Sequence, residues 1–369
     1  MIKIAYVIDT IDSPTGGTEK QLLLLLSQLD RSRFSPVLCV LHSSKWLEDE
    51  FDLCPLYNLE IYSLMKPGTL LRFLKFIRFL TVENVDVIHS FFKDGMRIGI
   101  MAGKLARLKK IIAVRRNQGY WMTPLDLKIT KLINQWVDLI IANCHDTCEW
   151  AVKFEGFPVE KIKVIHNGMD LEQFRQLSAN SCVEYRVELG IPFNVPVICI
   201  VANLRPVKSI DMFISAAAMV KTVLSDAHFI IIGDGDLEPI LKQQSRALGL
   251  ESCLQFLGRR FDIPQLLGIS TIGVLSSCSE SFSNTIVEYL AAGLPVVCTD
   301  VGGAREAVED DVNGFVVPSG DYAAMADKII SIWQDGKSQV MGAASRNKAE
   351  AFFSLESMMK QYEEIYDEI

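Results

Sequence analysis

Two glutamates in the second half of the chain, Glu280 and Glu288, flank a run of small polar residues. Ser283, Asn284 and Thr285 lie in this run, and either Ser283 or Asn284 can cap the start of a helix. The N–H groups at a helix start bind phosphate at the positive end of the helix dipole, and carboxylates accept hydrogen bonds from hydroxyl groups. An anion and hydroxyls together indicate a sugar nucleotide. The alternative is that Glu280 is an ordinary loop carboxylate and Glu288 a solvated helix residue.

The flanking sequence predicts the elements that hold these residues. The apolar run 272–275 predicts a buried strand, Gly293 predicts the end of the helix, and residues 296–298 predict the next strand. Glu280 therefore follows the carboxyl end of a strand, which is where open α/β sheets bind their ligands.

Further motifs along the chain extend this pattern. In chain order they are Gly16-Gly17-Thr18-Glu19, His166-Asn167-Gly168-Met169-Asp170, Asn203-Leu204-Arg205-Pro206-Val207-Lys208, Glu280-x7-Glu288, Ala291-Ala292-Gly293-Leu294-Pro295-Val296-Val297, Val301-Gly302-Gly303-Ala304-Arg305-Glu306 and Asn313-Gly314-Phe315-Val316-Val317. Together they closely resemble retaining glycosyltransferases of family 4. The resemblance covers nearly the whole chain and is strongest in its second half.

The resemblance implies the α/β GT-B fold, with two Rossmann-like doubly wound parallel-sheet domains, a cleft between them and a C-terminal crossing helix. We expect an N-terminal acceptor-binding domain at 1–168 and a C-terminal donor-binding domain at 169–350. A C-terminal helix within 351–369 is expected to pack back toward the N-terminal domain. Strand–helix units also repeat on both sides of residues 166–170, which independently supports two doubly wound domains.

The resemblance also implies roles for the first group of polar residues. Glu280 would hold the hydroxyls of the donor sugar, and Glu288 would hold the ribose hydroxyls. Ser283, Asn284 and Thr285 would bind the distal phosphate at the helix start.

Basic and glycine residues complete the expected donor site. Lys208 matches a basic residue that binds the donor diphosphate in the family, and Arg205 is taken as the second cation of that pair. Gly16 and Gly17, in a loop that is otherwise an ordinary tight turn, would contact the donor or the acceptor, and we take them as donor-binding residues. Arg260 lies in the loop that, in the family, contacts the base of the donor nucleotide.

The resemblance implies neither a metal ion nor another cofactor. The donor, linked to UDP or GDP, is a substrate. Asp234-x-Asp236 would hold a divalent cation in the other main glycosyltransferase fold. Here the pair lies between a predicted strand and a predicted helix, so we interpret these aspartates as turn and cap residues.

Three residues at predicted strand ends in the first half are further candidates. His89 is a candidate catalytic residue, although the family often has a second histidine where this chain has Phe91. Arg115 and Arg116 suit the phosphate and sugar of an acceptor. A structural histidine and a surface arginine pair remain the alternatives.

Charge is distributed unevenly along the chain. The net charge is −8, yet residues 61–116 contain 12 basic and 3 acidic residues, net +9. Residues 69–83 predict a basic amphipathic helix, which is either a core helix with a solvated basic face or a contact with an anionic membrane surface. No nucleic-acid partner is expected. Residues 1–9 predict a strand and not a secretion signal, so we expect a cytoplasmic protein, with peripheral contact to the inner face of the cell membrane left open.

We therefore expect a retaining, metal-independent glycosyltransferase. It would transfer a sugar to a hydroxyl of a glycan or polyprenyl-linked saccharide in the synthesis of surface polysaccharide, such as lipopolysaccharide. A sugar-nucleotide epimerase or hydrolase on the same fold is the alternative. A nicotinamide dehydrogenase would need a full glycine fingerprint after one strand, which the sequence lacks. A non-catalytic partner subunit would be expected to lack Glu280 or Lys208, and both are present.

Overall fold

The computed structural model describes residues 1–14, 16–64, 66, 68–119, 122–174 and 179–369, with 179–181 described by their backbone only. The chain divides into two compact units. Unit 1 contains residues 1–168 and 355–369, and unit 2 contains residues 169–354.

Strands and helices alternate through unit 1. Its elements are β1 (Ile2–Ile8), α1 (Gly17–Gln28), β2 (Phe34–Val40), α2 (Lys45–Asp49), β3 (Leu56–Asn58), α3 (Gly68–Val82), β4 (Val87–Ser90), α4 (Lys93–Ala106), β5 (Lys110–Arg115), α5 (Pro124–Ile133), β6 (Leu139–Ala142), α6 (His145–Trp150) and β7 (Ile162–Val164). The seven strands form one parallel sheet in the order β3-β2-β1-β4-β5-β6-β7. The strands are rich in buried β-branched residues because helices cover both faces of such a sheet.

Unit 2 repeats the same alternation. Its elements are α7 (Ala179–Glu188), β8 (Val197–Val201), α8 (Ile210–Val223), β9 (His228–Ile232), α9 (Glu238–Ala247), β10 (Leu254–Phe256), α10 (Ile263–Gly268), β11 (Ile272–Leu275), α11 (Asn284–Ala291), β12 (Val296–Thr299), α12 (Ala304–Ala307), β13 (Gly314–Val317), α13 (Tyr322–Gln334) and α14 (Ser338–Phe352). Its six parallel strands are ordered β10-β9-β8-β11-β12-β13.

Each sheet reverses its strand order once, between β1 and β4 in unit 1 and between β8 and β11 in unit 2. Such a reversal defines the doubly wound, Rossmann-like arrangement. The predicted fold class is therefore confirmed.

The last helix, α15 (Leu355–Asp367), belongs to unit 1. Met358, Tyr362, Ile365 and Tyr366 are buried in the same apolar cluster as residues of β1 and α1. The Tyr6 and Tyr366 hydroxyls are hydrogen-bonded at 3.0 Å, so the helix is held by polar as well as apolar contacts.

Two helices of unit 2 were not predicted from the sequence. The polar residues 179–188 form α7, and α14 was not predicted either. The helix α1 begins at Gly17, and Gly16 occupies the N-cap position. Within the described residues, no helix has both the length and the apolar character needed to cross a bilayer.

Candidate functional site

The candidate site lies where the strand order of unit 2 reverses. β8 and β11 are neighbours, and parallel strands end at the same edge of a sheet, so the loops that follow them adjoin. The Cys278 N–H donates to the Val207 carbonyl at 2.9 Å, and the Ser276 hydroxyl donates to the Lys208 carbonyl at 2.8 Å. We call residues 203–209 and 276–285 together the switch edge.

Two predicted site residues meet at the switch edge. Lys208 Nζ lies 2.5 Å from Glu280 Oε1, and the Ser277 hydroxyl donates to the same oxygen at 2.7 Å. The Lys208 and Glu280 side chains are 24% and 15% exposed, so this ion pair is open to solvent on one side. The sequence assigned the two charges to different parts of one ligand, and the structure places them in contact.

The start of α11 lies beside this pair. Ser283 is the N-cap residue and is buried, with an extended backbone and no side-chain cap hydrogen bond. The N–H groups in the first turn of a helix have no acceptor within that helix, which favours an anion at this position. Asn284 and Thr285 open the helix, as predicted, and Glu288 lies one turn further along it, half-buried.

The end of α11 also matches the prediction. Gly293 follows the helix with φ +73°, and the Leu294 N–H donates to the Tyr289 carbonyl at 3.0 Å. This left-handed glycine with a hydrogen bond back into the last turn is a common helix C-cap.

Tyr289 fixes α11 against the sheet. Its hydroxyl accepts the Val201 N–H at 2.8 Å and donates to the Val274 carbonyl at 3.1 Å, so it bridges β8 and β11. Burial raises the pKa of this phenol well above its ordinary value, and it stays a neutral donor. Sequence reasoning missed this residue, because a tyrosine in a helix carries no signal of its bonding partners.

The loop after β12 closes against the backbone of the switch edge. Gly302 has φ +51°, and a Cβ atom there would lie 2.3 Å from the Ser281 carbonyl oxygen and 2.5 Å from that of Glu280. The Gly303 N–H donates to the Ser281 carbonyl at 2.7 Å. The Gly-Gly step therefore permits a close approach that other residues would block.

The other predicted residues of unit 2 differ in exposure. Arg205 is exposed at the start of the short helical turn that contains Lys208. Arg260 donates two hydrogen bonds to Asp262, at 2.8 and 2.6 Å, and lies 3.7 Å from Glu188. The Arg260 guanidinium holds the pKa of Asp262 below its ordinary value. Much of the charge of Arg260 is thus already compensated inside unit 2.

Asp234 and Asp236 lie in the exposed loop between β9 and α9. The Asp234 carbonyl accepts the Leu204 N–H at 2.8 Å, and both aspartates are exposed. Among the described residues, no group of three or more histidine, cysteine, aspartate or glutamate side chains is placed to hold a metal ion.

In unit 1, His89 is fully buried at the carboxyl end of β4. Its Nδ1 lies 2.9 Å from the Tyr366 hydroxyl, and its ring packs against Tyr6 and Phe91. Burial, together with the nearby Arg116 charge, lowers the pKa of His89 to about 3. The ring is fully buried in this structure, and the catalytic role of His89 stays a prediction.

Arg115 is also enclosed within unit 1. Its guanidinium makes two hydrogen bonds of 2.8 Å to Glu155 and one of 3.1 Å to Asn134, with the Arg115 and Glu155 side chains 4% and 0% exposed. This is a buried ion pair in which the charge of Arg115 is already compensated, and binding of an acceptor by Arg115 stays a prediction. The pairing also accounts for the charge of Glu155, which lies in the π-helical turn that continues α6.

Arg116 and the glycine loop remain candidates. Arg116 is partly buried, donates to Asn167 Oδ1 at 2.5 Å and lies 3.5 Å from the Tyr362 hydroxyl. Gly16 and Gly17 begin α1, and Thr15 before them lies outside the described residues. Contact of these two glycines with a donor stays a prediction.

Comparison with known proteins identifies the family. Residues 183–348 match the model described as Glycosyl transferases group 1, and residues 15–173 match that described as Glycosyltransferase Family 4. The chain belongs to glycosyltransferase family 4.

Relatives and solved structures that match most or all of the chain support this family membership. The chain is 26% identical over 300 residues to the UDP-Gal:alpha-D-GlcNAc-diphosphoundecaprenol alpha-1,3-galactosyltransferase of Escherichia coli, and the match covers 78% of this chain and 77% of that protein. It is 26% identical over 293 residues to the N-acetyl-alpha-D-glucosaminyl L-malate synthase of Bacillus anthracis, covering 78% and 76%. The crystal structure of Anabaena HepE in complex with UDP matches with a TM-score of 0.87, 25% identity and full coverage of both chains.

Sequence reasoning did not identify Asp9 as a buried titratable residue at the edge of the unit 1 sheet. Asp9 directly follows β1, and its Oδ1 accepts the Gly95 N–H at 2.5 Å in the first turn of α4. Burial raises the pKa of Asp9 to about 6. A carboxylate placed immediately after the first strand was the available signal, since such positions face the carboxyl edge of the sheet.

Proposed function

We propose that this glycosyltransferase transfers a sugar from a UDP-linked donor to a hydroxyl of a saccharide acceptor, with retention and without a metal ion. The observation that carries the proposal is the solvent-open contact between Lys208 and Glu280 beside the start of α11. UDP is the first candidate nucleotide because the Escherichia coli relative is named for UDP-Gal and HepE was solved with UDP. GDP remains the alternative.

The charges of the switch edge suit the two ends of such a donor. Lys208, with the exposed Arg205, would neutralise the diphosphate as negative charge builds on it during departure. Glu280 would accept hydrogen bonds from the sugar hydroxyls, and the α11 start with Ser283, Asn284 and Thr285 would hold the distal phosphate. When the donor binds, Lys208 would leave its contact with Glu280 and bind the diphosphate instead.

The remaining assignments complete the donor site. Glu288 would accept the ribose hydroxyls from its place on α11, and Arg260 would flank the base while held by Asp262. Gly16 and Gly17 would contribute backbone contacts. The nucleotide sugar is a substrate in this proposal, and no further cofactor takes part.

Retention follows from a front-face transfer. The bond from the anomeric carbon to the leaving phosphate oxygen breaks as the acceptor oxygen bonds to the same face. The acceptor proton passes to the departing phosphate, and Lys208 stabilises the charge that remains on the diphosphate. A glycan or polyprenyl-linked saccharide is the proposed acceptor, since the name of the Escherichia coli relative includes a diphosphoundecaprenol-linked sugar. Surface polysaccharide synthesis is the proposed context.

Thermal unfolding with UDP, GDP, ADP and inorganic diphosphate tests the donor site. A ligand at 100 times its dissociation constant stabilises the folded state by about 2.7 kcal/mol. We expect UDP to raise the transition temperature more than GDP, ADP or diphosphate. A folded protein whose transition none of the four ligands shifts would contradict the proposal.

A turnover assay without acceptor tests the alternative function. An epimerase or hydrolase would convert the UDP-sugar at full rate without any acceptor.

The outer face of α3 supports a second part of the proposal, contact with an anionic membrane surface. Phe76 and Leu80 are buried in the core, whereas Leu70, Leu71 and Leu74 are 64%, 66% and 52% exposed. Exposed Lys75 and Arg78 lie on the same face as these leucines, as expected from the 100° step of a helix. Apolar side chains flanked by cations are suited to an interface of anionic lipid headgroups.

Vesicle sedimentation tests this surface. We expect binding to vesicles that contain phosphatidylglycerol, loss of binding in a Leu70→Ser, Leu71→Ser, Leu74→Ser variant, and retained UDP binding by that variant. Ile240→Ser in unit 2, also at an exposed apolar side chain, is the matched control. Equal sedimentation of the triple variant and the parent protein would contradict the membrane contact.

A further inference from the structure

Two consecutive serines, Ser276 and Ser277, follow β11 at the switch edge. Both are fully buried, and the hydroxyl of each donates to a group of the Lys208 and Glu280 pair. The proposed transfer gives neither serine a direct contact with the donor. Their function therefore has to be sought in what they hold.

Ser276 holds the backbone at Lys208. Its hydroxyl donates to the Lys208 carbonyl at 2.8 Å, and the neighbouring Cys278 N–H donates to the Val207 carbonyl at 2.9 Å. The next residue, Ser209, has φ +45°, a conformation that needs support from its surroundings. These bonds fix where the lysine side chain leaves the loop.

Ser277 holds the Glu280 carboxylate itself. Its hydroxyl and Lys208 Nζ both donate to Oε1, and among the described residues no donor is assigned to Oε2. The Thr299 hydroxyl donates to the Ser277 carbonyl at 2.6 Å, which anchors the serine to β12. Both of these side-chain donors thus bind Oε1, which leaves Oε2 available to accept from a ligand.

From this geometry we propose that the two serines are positioning residues with separate targets. Ser276 positions Lys208 for the donor diphosphate, and Ser277 positions Glu280 for the donor sugar. The inference rests on the proposed function. When the diphosphate draws Lys208 away from Glu280, Ser277 remains as the side-chain donor that orients the carboxylate, so its effect requires a sugar on the ligand.

Calorimetric binding of UDP and of UDP-sugars separates the two roles. The probe is whichever of UDP-glucose, UDP-galactose and UDP-N-acetylglucosamine the parent protein binds most tightly. We expect Ser277→Ala to weaken binding of that UDP-sugar about tenfold and to leave UDP within about twofold, since a hydrogen bond to a charged group is worth that much. Ser276→Ala should weaken UDP and the UDP-sugar equally, about fivefold.

Ser345→Ala is the matched control, because Ser345 is equally buried in unit 2 and its hydroxyl donates to the Asn313 carbonyl at 3.3 Å. A double-mutant cycle separates this contact from a general loss of stability: in a Glu280→Ala background, which has no side-chain acceptor for the Ser277 hydroxyl, Ser277→Ala should have no further effect on UDP-sugar binding.

Additive effects in that cycle, or equal weakening of UDP and the UDP-sugar by Ser277→Ala, would overturn the inference while leaving the proposed function intact. A parent protein that binds neither UDP nor any UDP-sugar would overturn both.

Discussion

The carboxyl edges of the two sheets both carry charged residues but use them differently. In unit 2, Lys208 and Glu280 bond to each other and remain partly exposed. In unit 1, Arg115 and Glu155 form an ion pair that is almost completely buried, and His89 is closed in by aromatic rings. Because a buried charge must be compensated within the protein, the edge of unit 1 stabilises the fold, whereas that of unit 2 keeps charges accessible to a ligand.

Polar residues at strand ends are not all available to a ligand. The carboxyl ends of parallel strands do collect polar residues in both units, as doubly wound folds require. Position at a strand end shows where such residues gather, and their exposure shows which of them can meet a ligand. Variants of the two edges should therefore separate stability from ligand binding.

The largest effect is expected at the buried pair of unit 1. Arg115→Ala leaves Glu155 without its main partner, and breaking a buried ion pair costs about 3–5 kcal/mol. The free energy of unfolding in urea measures this loss. We expect UDP affinity of the folded fraction to be unchanged.

A double variant serves as the control for that prediction. Arg115→Met combined with Glu155→Leu removes both charges and should recover part of the stability, since apolar replacement of a whole buried pair is close to neutral but the buried Asn134 amide loses its bonds to both residues. An Arg115→Ala protein as stable as the parent, whether or not it still binds UDP, would contradict the prediction. The two edges would then not differ in their contribution to stability.

The next effect concerns chemistry at the switch edge. Lys208→Ala should lower kcat about 10²–10³-fold, or roughly 3–4 kcal/mol of barrier, because charge on the departing diphosphate loses its stabilising cation. Stability should change little, since the lysine is partly exposed. Lys242→Ala, which removes an exposed lysine paired with Glu238 on α9, should retain parental turnover. Parental turnover in Lys208→Ala itself would remove Lys208 from the mechanism.

A third prediction uses the pH dependence of the unit 1 edge. The pKa of Asp9 is about 6 in the folded protein against an ordinary 3.8, so the folded state binds this proton more tightly. Its stabilising contribution is present below about pH 3.8 and is lost as pH rises through 6, by up to about 3 kcal/mol.

Asp9→Asn keeps an acceptor for the Gly95 N–H and removes the titration. Urea unfolding between pH 4 and pH 8 should show a flatter profile for the variant, and greater stability than the parent at pH 8. Parallel profiles for the two proteins would show that the carboxylate is not buried as the structure has it.

Local signals in the sequence predicted much of the fold. The limits of β11, α11 and β12 could be read from apolar runs, small polar residues and Gly293, because each signal acts within a few residues. The polar helix α7 and the helix α14, which lacks a side-chain N-cap, gave no such signal.

The site was less predictable because its arrangement depends on distant partners. His89 meets Tyr366, 277 positions away, and Arg115 meets Glu155, 40 positions away. No local pattern shows that these contacts bury both candidates. Lys208 and Glu280, 72 positions apart, were found because the family resemblance places each of them, and the contact between them and Ser277 needed the structure.

The smallest effect is expected at the hydroxyl of Tyr366. This hydroxyl lies 2.9 Å from His89 Nδ1 and 3.0 Å from the Tyr6 hydroxyl, in a fully buried cluster. Tyr366→Phe leaves both partners without that bond and should lower the free energy of unfolding by about 1–2 kcal/mol. Tyr362→Phe, one turn earlier on α15, is the matched control and should cost less, because the 3.5 Å contact with Arg116 is the one hydrogen bond of its hydroxyl among the described residues. If Tyr366→Phe instead kept full stability and weakened acceptor binding, the edge of unit 1 would take part in ligand recognition after all, and burial would no longer separate the two edges.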